Sequence, residues 1–242
     1  MALRQQSARQ NGPPPCIPLE STSVRHAYPL MLDLTDRLIV IVGGGAVALR
    51  KANGLLAAGA QRIHCVAPAF TPDLPPQVQR IQAEFQPAHL DGASLVFAAT
   101  DSPQVNETVV REAHRRGLLV NRADSDDDHP GDFTTPAVWR SDAVTLAVSA
   151  AGSPALAAAI RDDIATRLDP LQLRMAQAMQ TLRPLIVASP LLPQLRRQVF
   201  LDLVRPEAMH ALAQTGVQGL LAWLAQRHPN LKDIQCAMRN DV

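Results

Sequence analysis

The run Leu38-Ile39-Val40-Ile41-Val42, followed at once by Gly43, Gly44 and Gly45, constrains this chain more than any other stretch. Five consecutive apolar residues, mostly β-branched, describe a strand buried on both faces, as in a parallel sheet. The residues behind it fit the pattern G-x-G-x-x-A. Gly43 can make the tight turn, Gly45 leaves no side chain between backbone and a pyrophosphate, and small Ala48 lets the next helix pack closely. The amides that open this helix, at Ala46 and Val47, would hold phosphates at its partly positive end. A plain strand-to-helix turn accounts for the same glycines if nothing binds there.

The helix is expected from Ala46 to Ala58, with Gly59 as its C-terminal cap. Further strands are expected at Arg62–Ala67, Arg80–Glu84, Leu95–Ala99 and from Leu118. Ser102 and Pro103 open a helix that runs to Arg116 and stops at Gly117. Strands and helices alternating at such short intervals predict a doubly wound α/β fold with a parallel sheet, whose ligands belong at the carboxyl ends of the strands.

The pattern changes near Asp132. Phe133–Pro136 and Val144–Val148 read as strands, followed by a capped helix from Ser153 to about Leu168. Beyond Pro170 the chain reads as helices interrupted by Pro184, Pro190, Pro193 and Pro206. The division expected is a disordered tail over 1–25, a Rossmann domain over 26–132, a small α+β segment over 133–169 and a helical domain over 170–242.

Composition narrows the function. A net charge of +1 gives no electrostatic case for nucleic acid or a membrane surface. Only 3% of residues are aromatic, so a flat ligand should meet aliphatic walls and hydrogen bonds rather than stacked rings. The first residues lack the apolar stretch of a secretory signal, and no segment has transmembrane length, which points to the cytoplasm. Cys16, Cys65 and Cys236 are far apart and suggest neither a disulfide framework nor a metal motif; Cys65 falls in a buried strand as a small hydrophobe. From Leu171 to Val242 eight Lys and Arg face four Asp and Glu, which suits a polyanionic small molecule or simply a solvated helical surface.

Several stretches match one family in order: Tyr28 to Leu34, Gly43 to Lys51, Ala98-Ala99-Thr100-Asp101, Asn121-Arg122-Ala123-Asp124, Asp132 to Pro136 and Ser153-Pro154-Ala155-Leu156. Together they resemble the precorrin-2 dehydrogenase and sirohydrochlorin ferrochelatase family, which also forms the N-terminal half of siroheme synthases. The resemblance implies an NAD-binding Rossmann domain, a dimerisation segment and a helical domain. It implies oxidation of precorrin-2 with NAD⁺, followed in many members by Fe²⁺ insertion, and a homodimer. The substrate, a tetrapyrrole with eight carboxylates, would give the basic C-terminal part a purpose.

Where a usual Rossmann domain carries an acid after its second strand, this chain has Ala67, Pro68 and Ala69. The family also lacks that acid and sets this backbone beside the adenosine, so the resemblance assigns Pro68 and Ala69 to the cofactor. It likewise makes Asp124 the functional carboxylate, able to take the proton that leaves as hydride passes to nicotinamide. A turn-forming Asp is the ordinary alternative. Thr100 is expected to border the cofactor and Asp101 to cap the next helix. Arg50 and Lys51, a basic pair in the family, lie past the first helix's opening turn, where packing and surface roles fit as well.

Two departures from the family bear on the substrate. The loop Ser125–Gly131, with three Asp and His129, is longer than usual; it could recruit Fe²⁺ or be merely solvated. The turn Ser149–Gly152 is shorter, with Ala150 where a hydroxyl is common and Ala158 where Arg is common. That leaves open a dehydrogenase or chelatase of a different modified tetrapyrrole; the non-enzymatic alternative is a nucleotide-sensing Rossmann module that regulates a partner. The seven histidines form no metal-ligand spacing, and no dedicated metal site is expected.

Overall fold

In the computed structural model of this chain, residues 28–123, 131–150 and 152–231 are described. Strand β1 (Leu38–Val42) forms where the apolar run predicts, with all five residues buried. It pairs in parallel with β2 (Arg62–Ala67) on one side and β4 (Leu95–Ala98) on the other. The outer strands are β3 (Gln79–Gln82), beside β2, and β5 (Leu119–Arg122), beside β4, which gives the order β3-β2-β1-β4-β5. Helix α1 (Ala46–Ala57) packs Ala48, Ala52 and Leu55 onto one face; α2 (Pro103–Arg115) packs Val109 and Ala113 onto the other. Burial on both faces is why the central strands β1 and β4 are wholly apolar, while the edge strand β3 is mostly polar and exposed.

The punctuation follows local chemistry. After α1, Gly59 takes φ +83 and its amide bonds the Leu56 carbonyl, while the Ala60 amide bonds that of Leu55. Ser102 caps α2 by accepting from the Val105 amide at 3.4 Å, so Asp101 is not the cap. Proline at the first helical position needs no partner for the donor it lacks, and the neighbouring serine already turns its hydroxyl to the orphan amide.

The chain divides into two compact units at Thr134 and Thr135. The second unit opens with a two-stranded antiparallel sheet, β6 (Ala137–Arg140) and β7 (Thr145–Val148), packed by α3 (Pro154–Thr166). The strand expected at Phe133–Pro136 is absent, and β6 starts one residue later. The reason is that 132–133 is already engaged: the Asp132 amide bonds the Val120 carbonyl, the Asn121 side chain donates to the Phe133 carbonyl at 2.8 Å, and the Phe133 ring meets Phe97 edge-on. Pro136 has no amide to give a ladder.

Three helices follow: α4 (Pro170–Ala188), α5 (Pro193–Leu203) and α6 (Pro206–Arg227). The helices are interrupted at Pro190, Pro193 and Pro206 as expected, with Pro193 and Pro206 opening the next ones, but Pro184 lies inside α4, which does not stop there. Met175, Ala178, Leu182 and Ile186 form one buried stripe along α4, and their burial holds the helix together across the missing donor. Among the described residues, no helix is long and apolar enough to cross a membrane.

Candidate functional site

A cleft of about 910 Å³ opens at the carboxyl edge of the five-stranded sheet, beside the loop from β1 to α1. The sheet order reverses direction here: the chain passes from β1 outward to β2 and β3, then returns to β4 on the other side. Crevices of doubly wound sheets lie at this point.

The three glycines of the loop have different reasons to be there. Gly43 takes φ +130, and a Cβ on it would stand 2.1 Å from the Ala99 carbonyl oxygen. A Cβ on Gly44 would stand 2.0 Å from the Ala69 carbonyl oxygen. Both are required by the fold itself. Gly45 adopts an ordinary φ of −90, and nothing lies within 4 Å of where its Cβ would be. Open space over a glycine that lines the cleft is what a closely approaching phosphate needs. α1 starts there with no side-chain cap and no acid in its first turn, so its first amides have no acceptor of their own.

The loop is held firmly from below. The Gly43 amide donates to the Val66 carbonyl at 2.9 Å, the Thr71 amide donates to the Gly44 carbonyl at 2.8 Å, and the Cys65 thiol donates to the Gly43 carbonyl at 2.9 Å. Burial pushes that thiol up to about 11, so at neutral pH it keeps the proton it donates. Cys65 is more than the small hydrophobe read from its strand.

Pro68, Ala69 and Thr100 all line the cleft together with Gly43, Gly44 and Gly45. The side chains of Ala46 and Val47 do not: Ala46 is exposed outside it and Val47 packs on the sheet core, leaving only their amides for a ligand. Thr100 is fixed by Asn106, a fully buried residue of α2 that the sequence reading overlooked. The Asn106 side chain accepts from the Thr100 amide at 3.1 Å and its hydroxyl at 2.8 Å, and donates to its carbonyl at 2.9 Å. The signal was there: Asn106 lies one helical turn beyond the Ser102 cap, on the side facing the end of β4.

Phe70 and Phe85 also line the cleft, so aromatic faces are present despite the low aromatic content. Lys51 is half-buried with its ammonium 5.5 Å from the Phe97 ring centre, and burial, with the charge of Arg50, lowers its pKa to about 8. Neither Arg50 nor Lys51 lines the cleft. Asp124 and most of the acidic loop, 124–130, lie outside the described residues, as do the tail 1–25 and Cys16 and Cys236. The described flanks are fixed. On one side the Ala123 amide bonds the Ala98 carbonyl at 2.9 Å; on the other, Gly131 bridges to Asn121, and the Asp132 carboxylate accepts from the Val120 amide at 2.9 Å and lies 3.0 Å from His114 Nε2. Among the described residues no three His, Cys, Asp or Glu side chains gather as a metal would require.

In the second unit, Ser153 caps α3, accepting from the Leu156 amide at 3.3 Å, and the exposed face of that helix carries Leu156, Ile160 and Ile164 in a row. Arg183, Arg196 and Arg197 border a shallow apolar groove between α4 and α5, with Arg183 stacked 5.3 Å over Phe200.

Comparison with known proteins agrees with this geometry. Residues 30–137 match the family model described as "Putative NAD(P)-binding". The siroheme synthase of Chromobacterium violaceum is 41% identical over 140 residues, 55% of this chain and 29% of that one. That of Photorhabdus laumondii is 42% identical over 142 residues, 56% of this chain and 30% of that one. The chain thus spans about three tenths of the length of these curated relatives. Among solved structures, "SirC, precorrin-2 dehydrogenase" superposes with a TM-score of 0.67 at 25% identity, over 83% of this chain and all of that one. Residues 30–137 are accordingly an NAD(P)-binding Rossmann domain, in a chain related by sequence to siroheme synthases and by sequence and fold to a precorrin-2 dehydrogenase.

Proposed function

We propose that this chain oxidises precorrin-2 to sirohydrochlorin with NAD⁺, a step towards siroheme. The observation that carries the reading is the extent of the likeness to the precorrin-2 dehydrogenase. It covers that whole protein and 83% of this chain, more than the Rossmann unit alone can supply. The open cradle over Gly45 and the uncapped start of α1 support dinucleotide binding in the cleft.

In this reading the amides of Ala46 and Val47 hold the pyrophosphate against Gly43, Gly44 and Gly45. The backbone of Pro68 and Ala69 borders the adenosine, and Thr100, immobilised by Asn106, borders the cofactor from the end of β4. NAD⁺ supplies the hydride acceptor. Asp124 takes the proton that the tetrapyrrole loses in the same oxidation, and in Fe²⁺ insertion the same carboxylate would receive protons leaving the pyrrole nitrogens. The arginines along α4 and α5 offer charge partners for a polycarboxylate substrate. A homodimer belongs to the proposal as well, supported by the apolar row Leu156, Ile160, Ile164 on α3. The cytoplasm, where NAD⁺ is at hand, is the proposed place of action.

Anaerobic incubation of the purified protein with precorrin-2 and NAD⁺ tests the proposal: NADH and the sirohydrochlorin spectrum should appear together. Fe²⁺ or Co²⁺ added afterwards tests chelation separately. Asp124→Asn should bind NAD⁺ normally and lose most of its turnover; a wild-type rate from it removes Asp124 from the proton transfer. NAD⁺ binding without any reaction of the tetrapyrrole would favour a sensing role instead.

A further inference from the structure

The end of β2 lacks an acid, yet a carboxylate reaches the same place from the neighbouring strand. β3 runs parallel to β2 with Gln82 opposite Ala67. The pairing extends beyond β3: the Ala83 amide donates to the Ala67 carbonyl at 3.1 Å, and the Gln82 side chain donates to the Pro68 carbonyl at 3.2 Å. Glu84 is the next residue, level with Pro68 and Ala69, and it lines the cleft with them. It is exposed, and among the described residues no hydrogen bond or ion pair engages its carboxylate.

The rest of the lining sharpens the point. Among the described residues, Glu84 and Asp101 are its two charged members, and no Lys, Arg or His lines it. Asp101 follows β4, on the other side of β1, so Glu84 stands alone at the β2 end. A second phosphate placed there would meet a negative charge and, among the described lining residues, no cation.

We infer that Glu84 is the specificity-determining residue for the adenosine half of the dinucleotide, a deepening that rests on the cofactor reading above. Its carboxylate accepts hydrogen bonds from the ribose hydroxyls of NAD⁺, the service an acid on β2 performs in other Rossmann domains. The same charge turns away the 2′-phosphate of NADP⁺, which brings nearly two further negative charges.

Titration calorimetry with NAD⁺ and with NADP⁺ measures this directly, without any turnover. The wild-type protein should bind NAD⁺ at least about tenfold more tightly, the lower end of what hydrogen bonds to a charged group contribute. Glu84→Gln should shrink that preference by roughly five- to tenfold, through weaker NAD⁺ binding and through relief of the repulsion against NADP⁺. Glu84→Arg should bring NADP⁺ level with NAD⁺ or ahead of it. Added salt should narrow the wild-type preference and leave that of Glu84→Gln almost unmoved, because it screens the repulsion. A ratio in Glu84→Gln within about twofold of wild type, where a lost charged hydrogen bond predicts far more, overturns the inference while leaving the cofactor reading intact. Wild-type protein that binds neither dinucleotide overturns both.

Discussion

The Rossmann unit and the helical unit place their polar groups on opposite plans. In the first, β1 and its neighbours bury an aliphatic interior, and the cleft offers backbone amides at the start of α1 in a lining whose charged side chains, among the described residues, are both acids. In the second, a carboxylate lies inside. Asp202, 2% exposed at the end of α5, accepts from the Gln198 side chain at 3.1 Å and lies 2.8 Å from Arg205 Nε, 2.9 Å from Arg227 Nε and 3.0 Å from His228 Nε2. Its surface carries arginines, of which Arg183, Arg196 and Arg197 pair with no carboxylate among the described residues. A sheet satisfies its backbone internally and can leave amides to a ligand at its edge. Helices joined by short turns need a side-chain tie, and here one acid joins the ends of α5 and α6.

The largest effect that would sharpen this contrast is expected at Gly44. Gly44→Ala drives a methyl group to 2.0 Å from the Ala69 carbonyl oxygen, between two backbone segments that cannot move independently. The cost should reach about 3 kcal/mol or more, the upper end of overpacking. Hydrogen exchange should show protection lost in the sheet and kept in α4 to α6. Equal loss in both units would break the picture of two separately stabilised cores.

Asp202→Asn is the matching change in the second unit. It leaves Arg227 and His228 facing a neutral group; because both arginines are nearly half exposed, about 2 kcal/mol is expected, below the cost for a fully buried pair. Urea unfolding should register it, and NAD⁺ affinity should not change. Acidity should act the same way. Burial opposes ionisation of Asp202, but hydrogen bonds from Arg227, Gln198 and His228 outweigh it and hold the pKa below the ordinary value. A lowered folded pKa means the stabilisation is complete above about pH 4 and is lost as pH falls from there through the folded pKa. Circular dichroism followed downward from pH 5 should therefore find the helical unit weakening below about pH 4.

Gly45→Ala separates fold from function within the first unit. With φ at −90 and nothing within 4 Å, the added methyl should shift the melting temperature by no more than a few degrees, as a loss under about 1 kcal/mol would. NAD⁺ affinity should fall roughly tenfold or more as the phosphate is pushed away from the amides. Unchanged affinity would mean that Gly45 is merely a convenient turn residue, unlike its two neighbours, which the fold itself requires.

How far these features could be read from the sequence depended on whether they were local. The buried strand and its glycine loop were legible because β-branched residues and a tight turn declare themselves within ten positions. Ser102 was visible as a cap, though Asp101 beside it was the wrong choice, since both residue types cap and only geometry decides. Asn106 and Glu84 could not be found so easily. Their importance comes from register: one faces the end of β4 across a helical turn, the other sits two residues past the partner of Ala67 on another strand. The strand misplaced at Phe133–Pro136 failed for a similar reason, because the start of that stretch is held by Val120 and the Asn121 side chain of β5, a pairing set by register and not by local pattern.

Pro184 offers the smallest effect and one of opposite sign. A proline inside a helix removes one donor and crowds the carbonyl four residues earlier, here Gln180, which argues for a break. α4 runs on because Leu182 and Ile186, fully buried on either side of it, belong to one apolar stripe that would be split by a break. The proline itself is exposed, so it contributes little packing in return. Pro184→Ala should therefore stabilise the helical unit, by about 1 kcal/mol of the roughly 3 kcal/mol separating the two residues in a straight helix, since α4 has already adapted. The Rossmann unit has no proline inside its described helices beyond the first turn, and its melting should not respond. A loss of stability in the variant would mean that α4 uses a bend at Pro184 to reach its neighbours, and that tertiary packing had chosen the proline rather than tolerated it.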